Sequence, residues 1–326
     1  GQLRNNLHFD VVDRMEHESI CARTSLRMDQ FGILLIVDCA AYGNSNRIDA
    51  RTTQEEGKNK AEQGRRGKGR SFDGNSLLLI FFIYNASLFD FMKPSDKKNR
   101  VFSYDRNNFL IDEEPIQLFS GEMHYQRIPR DYWRHRLHMA RVMGLNAVAI
   151  YMFWNAHEPR HGEFNFDGRN DVAAFVRIAQ EEDLWVIIRP GPYCCAEWDM
   201  GGLPPYLLKD PNVRVRCMDE TYLQAAKRYI REWTKKLVPL QCNNGGPIIM
   251  VQIENEYGSY GNDKVYLRHI KNELEANGIN VPFFTCDGYS DFHLINGTLP
   301  EILCGLNFGS QPKKAFAQLK KHRKDI

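Results

Sequence analysis

From Phe102 onward, short apolar runs alternate with amphipathic stretches, the order that builds βαβα units on a parallel sheet. Strands are expected at residues 117–120, 147–152, 184–189, 248–253, 282–285 and 302–307. Between them, residues 131–143 carry Trp133, Leu137, Ala140 and Met143 at three- and four-residue steps, the stripe of a helix. Residues 171–182, 220–237, 263–277 and 312 to about 321 behave likewise. Six βα units in residues 102–326 have the pitch of an α/β (β/α)8 TIM-type barrel, usually about 250 residues long. The barrel is then incomplete at the C-terminus, two units short. A doubly wound sheet would alternate in the same way, but no glycine-rich phosphate loop follows any strand.

Residues 1–101 read differently and form an unassigned, poorly ordered N-terminal extension. Only residues 33–37 and 77–84 are apolar runs there, and residues 58–70 are glycine-rich and basic, which favours solvation over packing. The run LLLIFFIY at 77–84 follows Arg65, Arg66, Lys68 and Arg70, the charge-then-apolar order of a secretory signal. So far from residue 1 it would act as one only if the true start is internal; otherwise it is a short buried strand or sequence upstream of the real start.

Composition narrows the partners. Lys and Arg number 43 against 41 Asp and Glu, a net charge of +2 that gives no reason to expect nucleic acid. Eight cysteines in 326 residues are too sparse for a disulfide scaffold, and no CxxC pair suggests structural zinc. No apolar run approaches the ~18 residues of a membrane span.

The fourth strand carries the chemistry. With a period of two, Ile249, Val251 and Ile253 share one face, while Met250, Gln252, Glu254 and Glu256 share the other. An apolar face against helices sends the carboxylates into the barrel, at the C-terminal strand ends where barrel enzymes build their sites. Two acids buried together raise one another's proton affinity, as a general acid requires. The competing reading is a structural ion-pair network, with Arg189 as its cation.

The run GGPIIMVQIENEYGSYG at 245–261, with SGEMHYQRIPRDYW at 120–133, YMFWNAHEPRHGEFNF at 151–166 and RPGPYCCAEWDMGGLPPYLL at 189–208, resembles family 35 of the glycoside hydrolases, the β-galactosidase family. The resemblance runs from about Phe102 to the end of the chain. It implies a retaining exo-β-galactosidase acting on terminal β-linked galactose with no metal and no cofactor: one glutamate attacks C1, and another protonates the leaving oxygen and later activates water. It places the acid/base on Glu256 and a 2-OH ligand on Asn255. Glu254 becomes a neighbouring inner carboxylate that binds sugar hydroxyls or sets the field at Glu256. Tyr151, Cys195, Ala196 and Glu197 match positions lining the galactose pocket, where Glu197 would fix hydroxyls by ionic hydrogen bonds. The family's nucleophile is expected beyond Ile326, so the chain as given is expected to be inactive. Its setting is expected to be secreted, periplasmic or lysosomal, and its oligomeric state stays open. Two rivals remain: an exo-β-glucosaminidase, which would need an extra acid beside Asn255, and a non-catalytic galactose-binding remnant.

Other residues have plainer readings. Trp185 and Trp233 belong to the core, whereas Trp154 and Trp198 lie beside loop motifs and could stack on a sugar. His124 and His157 read as supporting donors rather than metal ligands. Cys194 and Cys195 are poorly placed to bridge each other, and a bond from one of them to Cys217 or Cys242 is open. Asn85 and Asn296 stand in glycosylation sequons.

Overall fold

The computed structural model describes residues 35–38 and 93–323. The basic stretch at 58–70, the apolar run at 77–84 and Asn85 lie outside the described residues. Strands β1 (Leu35–Asp38), β2 (Phe102–Tyr104), β3 (Phe109–Ile111), β4 (Glu114–Ile116), β5 (Phe119–Glu122), β6 (Ala147–Tyr151), β7 (Trp185–Arg189), β8 (Ile248–Gln252), β9 (Phe283–Gly288) and β10 (Leu303–Asn307) alternate, from β5 onward, with helices. These are α1 (Trp133–Val142), α2 (Trp154–His157), α3 (Val172–Glu181), α4 (Glu220–Leu237), α5 (Lys264–Ala276), α6 (Asp291–Gly297) and α7 (Pro312–His322).

Strands β5 to β10 lie side by side in sequence order, every pair parallel, and form the six-stranded part of a TIM-type barrel. All six expected barrel strands exist. Two are displaced toward the C-terminus: the first ends on Glu122 and the fifth on Gly288, so both carry polar residues to the end where a site would form. Strands β6, β7 and β8 are buried at every position, which is why they read as unbroken apolar runs. Aspartates cap the covering helices: Asp171 accepts from Ala174 N in α3, Asp219 from Tyr222 N in α4, and Asp263 from Val265 N and Tyr266 N in α5.

The outer edge of β5 is not bare. Strand β1 pairs with it in parallel, Leu35 opposite Phe119 and Asp38 opposite Glu122, so part of the apolar run at 33–37 adds a seventh strand to the sheet. Within the unassigned residues 1–101, this strand is joined to the barrel sheet. Residues just ahead of Phe102 also pack on the barrel, since Gln180 Nε2 donates to Pro94 O (2.8 Å) and Arg100 N to Cys242 O (2.8 Å).

An antiparallel meander of β2, β3 and β4 leads into β5 and puts Phe102, Phe109 and Ile111 in the core. Its second turn is a two-residue loop, Asp112 and Glu113, both in the left-handed region (φ 51° and 70°), the geometry that matches the twist of a hairpin.

Candidate active site

The barrel strands end together on residues that carry chemistry: Glu122, Tyr151, Arg189, Gln252 and Asn307, with Asp287 one residue short of the end of β9. Strand β8 stops at Gln252, and the alternation expected to carry Gln252, Glu254 and Glu256 on one face stops with it. Glu254 (φ 59°) and Glu256 (φ 45°) both adopt left-handed backbone, which non-glycine residues enter at a cost of about 1 kcal/mol or more. Glu254 N donates to Gly191 O and Glu256 N to Cys286 O, so the turn is held from β9 and from the loop after β7.

Those two reversals separate the carboxylates. Glu254 is buried in a nest of its own. Its Oε2 accepts from Arg216 Nε (3.1 Å), Arg216 Nη2 (2.8 Å) and Asn255 N (3.2 Å), and its Oε1 from Tyr266 OH (2.5 Å). Arg216 also donates to Asn255 O (2.7 Å) and lies over the rings of Tyr193 (4.0 Å) and Tyr260 (4.3 Å). Burial works against the Arg216 charge, but the charge and hydrogen bonds of Glu254 outweigh it and the pKa rises. Glu254 is thus ion-paired with Arg216, with Tyr266 OH as the single donor to its Oε1. The cation that pairs with Glu254 is Arg216, not the Arg189 named in the ion-pair reading of the two glutamates.

Arg189 serves a second cluster. Its Nη1 pairs with Glu122, its Nε donates to Gln252 Oε1 (2.6 Å) and its Nη2 to Asn255 Oδ1 (3.1 Å), while the guanidinium lies 4.2 Å over the Tyr151 ring. Asn255 Oδ1 also accepts from Tyr151 OH (3.1 Å) and Gln252 Nε2 (3.1 Å). Three donors on Oδ1 fix the amide, and among the described residues no acceptor takes Asn255 Nδ2. Burial alone would raise the Glu122 pKa, yet the His124 hydrogen bond and the Arg189 charge bring it below the usual carboxylate range. His124 donates from Nε2 to Glu122 (2.9 Å) and accepts at Nδ1 from Arg127.

Glu256 faces the other way and is half-exposed. Its Oε1 accepts from Asn307 Nδ2 at 2.7 Å, and no described donor takes Oε2. Below the turn, Asp287 Oδ1 accepts from Gly258 N (2.7 Å). Burial pushes the Asp287 carboxyl up to about 6; the Gly258 N–H and Lys264 oppose this, and Glu256 and Glu254 add to it.

Cys195, Ala196 and Glu197 form one loop with three consecutive left-handed residues (φ 66°, 54° and 46°). Arg127 Nη2 holds it through Ala196 O and Glu197 O, both 2.8 Å, and lies 5.0 Å over the Trp198 ring. Trp198 stacks on Phe153 at 4.2 Å, and Ala196 packs in the same cluster as Tyr151. The structure therefore joins Tyr151 to Asn255 and Ala196 to Tyr151, and leaves the Glu197 carboxylate exposed on the loop. Trp154 is no platform: it is fully buried against Tyr229 at 5.1 Å, while Trp185 and Trp233 are core as expected. His157 is a supporting residue, donating from Nδ1 to Asn165 O (3.0 Å) and accepting the Tyr125 hydroxyl (2.5 Å), and burial lowers its pKa to about 4. Cys194, Cys195, Cys217, Cys242, Cys286 and Cys304 are all free.

Sequence reasoning missed Glu122, Arg127, Arg216, Asp287 and Asn307. Three of them are polar residues at or near the end of a barrel strand or just after one, a positional signal; Arg216 lies in an irregular loop and gave none.

A polar site on the C-terminal strand ends of a parallel barrel defines the class as a barrel enzyme scaffold. The profile of the glycosyl hydrolases family 35 matches residues 108–326, and the chain belongs to that family. It is 48% identical over 227 residues to a β-galactosidase of Xanthomonas manihotis, covering 69% of this chain and 38% of that protein. A mouse β-galactosidase is 46% identical over 64% of this chain and 32% of its own length. The human β-galactosidase-1-like protein 2 is 44% identical over 62% and 32%. The chain thus spans about a third of the length of these relatives.

Proposed function

We propose that the protein is a retaining exo-β-galactosidase in which Glu256 is the general acid/base. The observation that carries this is the half-exposed Glu256 carboxylate at the strand ends, with one oxygen held by Asn307 and the other without a protein donor among the described residues. Asn255, its amide fixed by Tyr151, Arg189 and Gln252, offers Nδ2 to the sugar 2-OH. Tyr151, Cys195, Ala196 and Glu197 line the galactose pocket, and Glu254 holds the turn instead of the sugar. In the first step Glu256 gives its proton to the glycosidic oxygen as the C1–O bond breaks; in the second it takes a proton from the attacking water.

The engagement of Glu254 by Arg216 and Tyr266 supports galactose over a 2-amino sugar, because the acid beside Asn255 is not free to meet an ammonium group. Hydrolysis of aryl β-galactoside but not of aryl β-glucosaminide by the full-length protein is the expected outcome, and galactose binding without turnover would favour a binding remnant. Glu256→Gln should lower kcat/KM by about 10²–10⁴-fold on substrates with poor leaving groups and far less, in the first step, on activated phenols. Equal losses on both would overturn the assignment. The secreted, periplasmic or lysosomal setting rests on the sequence; among the described residues no helix is long and apolar enough to cross a membrane.

A further inference from the structure

Strand β10 brings Asn307 to the open end of the barrel, where its amide is held on both sides. Cys286, on neighbouring β9, directs its thiol at Asn307 Oδ1 (2.9 Å), and Asn307 Nδ2 donates to Glu256 Oε1 (2.7 Å). Burial pushes the Cys286 thiol up to about 12; Arg189 opposes this, and Asp287, Glu256 and Glu122 add to it. The sulfur therefore keeps its proton at neutral pH and acts as a donor. A donor on that side makes Oδ1 the accepting end of the amide, so the end that meets Glu256 is N–H, an orientation assigned by the hydrogen-bond network. An N–H on Oε1 is accepted better by a carbonyl-type oxygen than by a hydroxyl oxygen, so the proton of the neutral acid is favoured on Oε2.

We propose that Asn307, oriented by the Cys286 thiol, is a positioning residue that confines the proton of Glu256 to Oε2. The inference rests on the reading of Glu256 as the acid/base and deepens it. The Oε2 proton passes to the glycosidic oxygen, which leaves with the C1–O electron pair as a second carboxylate, the nucleophile, bonds to C1. The carboxylate left behind is stabilised through Oε1 by the Asn307 N–H. In the second step Oε2 takes a proton from water as the water oxygen bonds to C1 and the attacking carboxylate is released. Among the described residues Asp287 and Cys286 on β9 are titratable neighbours of Glu256, with Lys264 beyond Asp287 and Glu254 turned away on the same segment. All of them stay in place when Asn307 is changed.

The test follows the 13C resonance of the Glu256 carboxyl through a pH titration of the full-length protein, alongside kcat for aryl galactosides. Asn307→Asp, which sets a second carboxylate against Oε1, should move the Glu256 titration upward by about two units, and Asn307→Ala by about one. Cys286→Ser keeps a donor and should behave as the parent. Cys286→Ala frees the amide to flip and should lower kcat on poor leaving groups by about three- to tenfold with KM unchanged, an effect of the size of one neutral hydrogen bond. A Glu256 titration identical in Asn307→Ala and the parent would overturn the proposal, as would equal behaviour of the two Cys286 variants. The titration needs no turnover, so it separates the two claims. Shifts as expected in a protein that does not cleave galactosides would sink the galactosidase reading and leave the positioning role standing. An active protein whose titration does not move would do the reverse.

Discussion

On the inner side of the turn after β8, Glu254 is enclosed by Arg216 and Tyr266, with the Asn255 amide completing its hydrogen bonds. On the outer side, Glu256 has one amide donor and an open oxygen. The two glutamates are two residues apart and would look equivalent on a regular strand. What separates them is backbone: left-handed φ at both positions turns one inward and the other toward the mouth. The same chemical group is an ion-pair anchor at Glu254 and, in the proposed reaction, a proton carrier at Glu256.

The largest stability effect should come from the inner side. Glu254→Gln leaves the Arg216 guanidinium, a buried charge, without its counter-ion, and should destabilise the fold by about 3–5 kcal/mol in denaturant melts. Glu256→Gln, half-exposed, should change stability by less than about 1 kcal/mol. Similar losses in the two variants would break the comparison.

Asp287 sharpens it from below. A carboxyl whose pKa rises on folding holds its proton more tightly in the folded chain. Its contribution is then fully present below about pH 4, where aspartate titrates unfolded, and is lost as pH rises through about 6. Over that window the parent should lose up to about 3 kcal/mol through this group, a loss that Asp287→Asn removes. The check is thermal unfolding from pH 4 to 7, with the same slope in both proteins as the contrary result. The smallest effect belongs to Tyr151→Phe, which takes one of three donors from Asn255 Oδ1. It should raise KM for an aryl galactoside several-fold, about 1 kcal/mol, with the stability of the fold nearly unchanged.

The barrel was legible because β6, β7 and β8 are apolar at nearly every position and capped helices follow on schedule. Strand β5 was placed too early because its last three residues, Ser120, Gly121 and Glu122, include no large apolar side chain. Strand β9 was cut short because Asp287 and Gly288 read as loop. The meander escaped notice since three-residue strands give alternation too little room. Within the site, strand periodicity was extended past Gln252, and no side-chain pattern announces left-handed backbone at a glutamate. The motif residues Tyr151, Asn255 and Glu256 stand in recognisable runs of sequence, whereas Arg216 and Asn307, which hydrogen-bond to Asn255 and Glu256, come from segments distant in sequence and became visible only once the chain was folded.

The division of roles between the two glutamates is tested most directly by azide acting on Glu256→Ala in the full-length protein with an activated aryl β-galactoside. An anion needs no general base, so if Glu256 is the acid/base, azide should restore turnover and the product should be β-galactosyl azide, with configuration retained. A rate that does not respond to azide, with galactose as the sole product, would contradict the account.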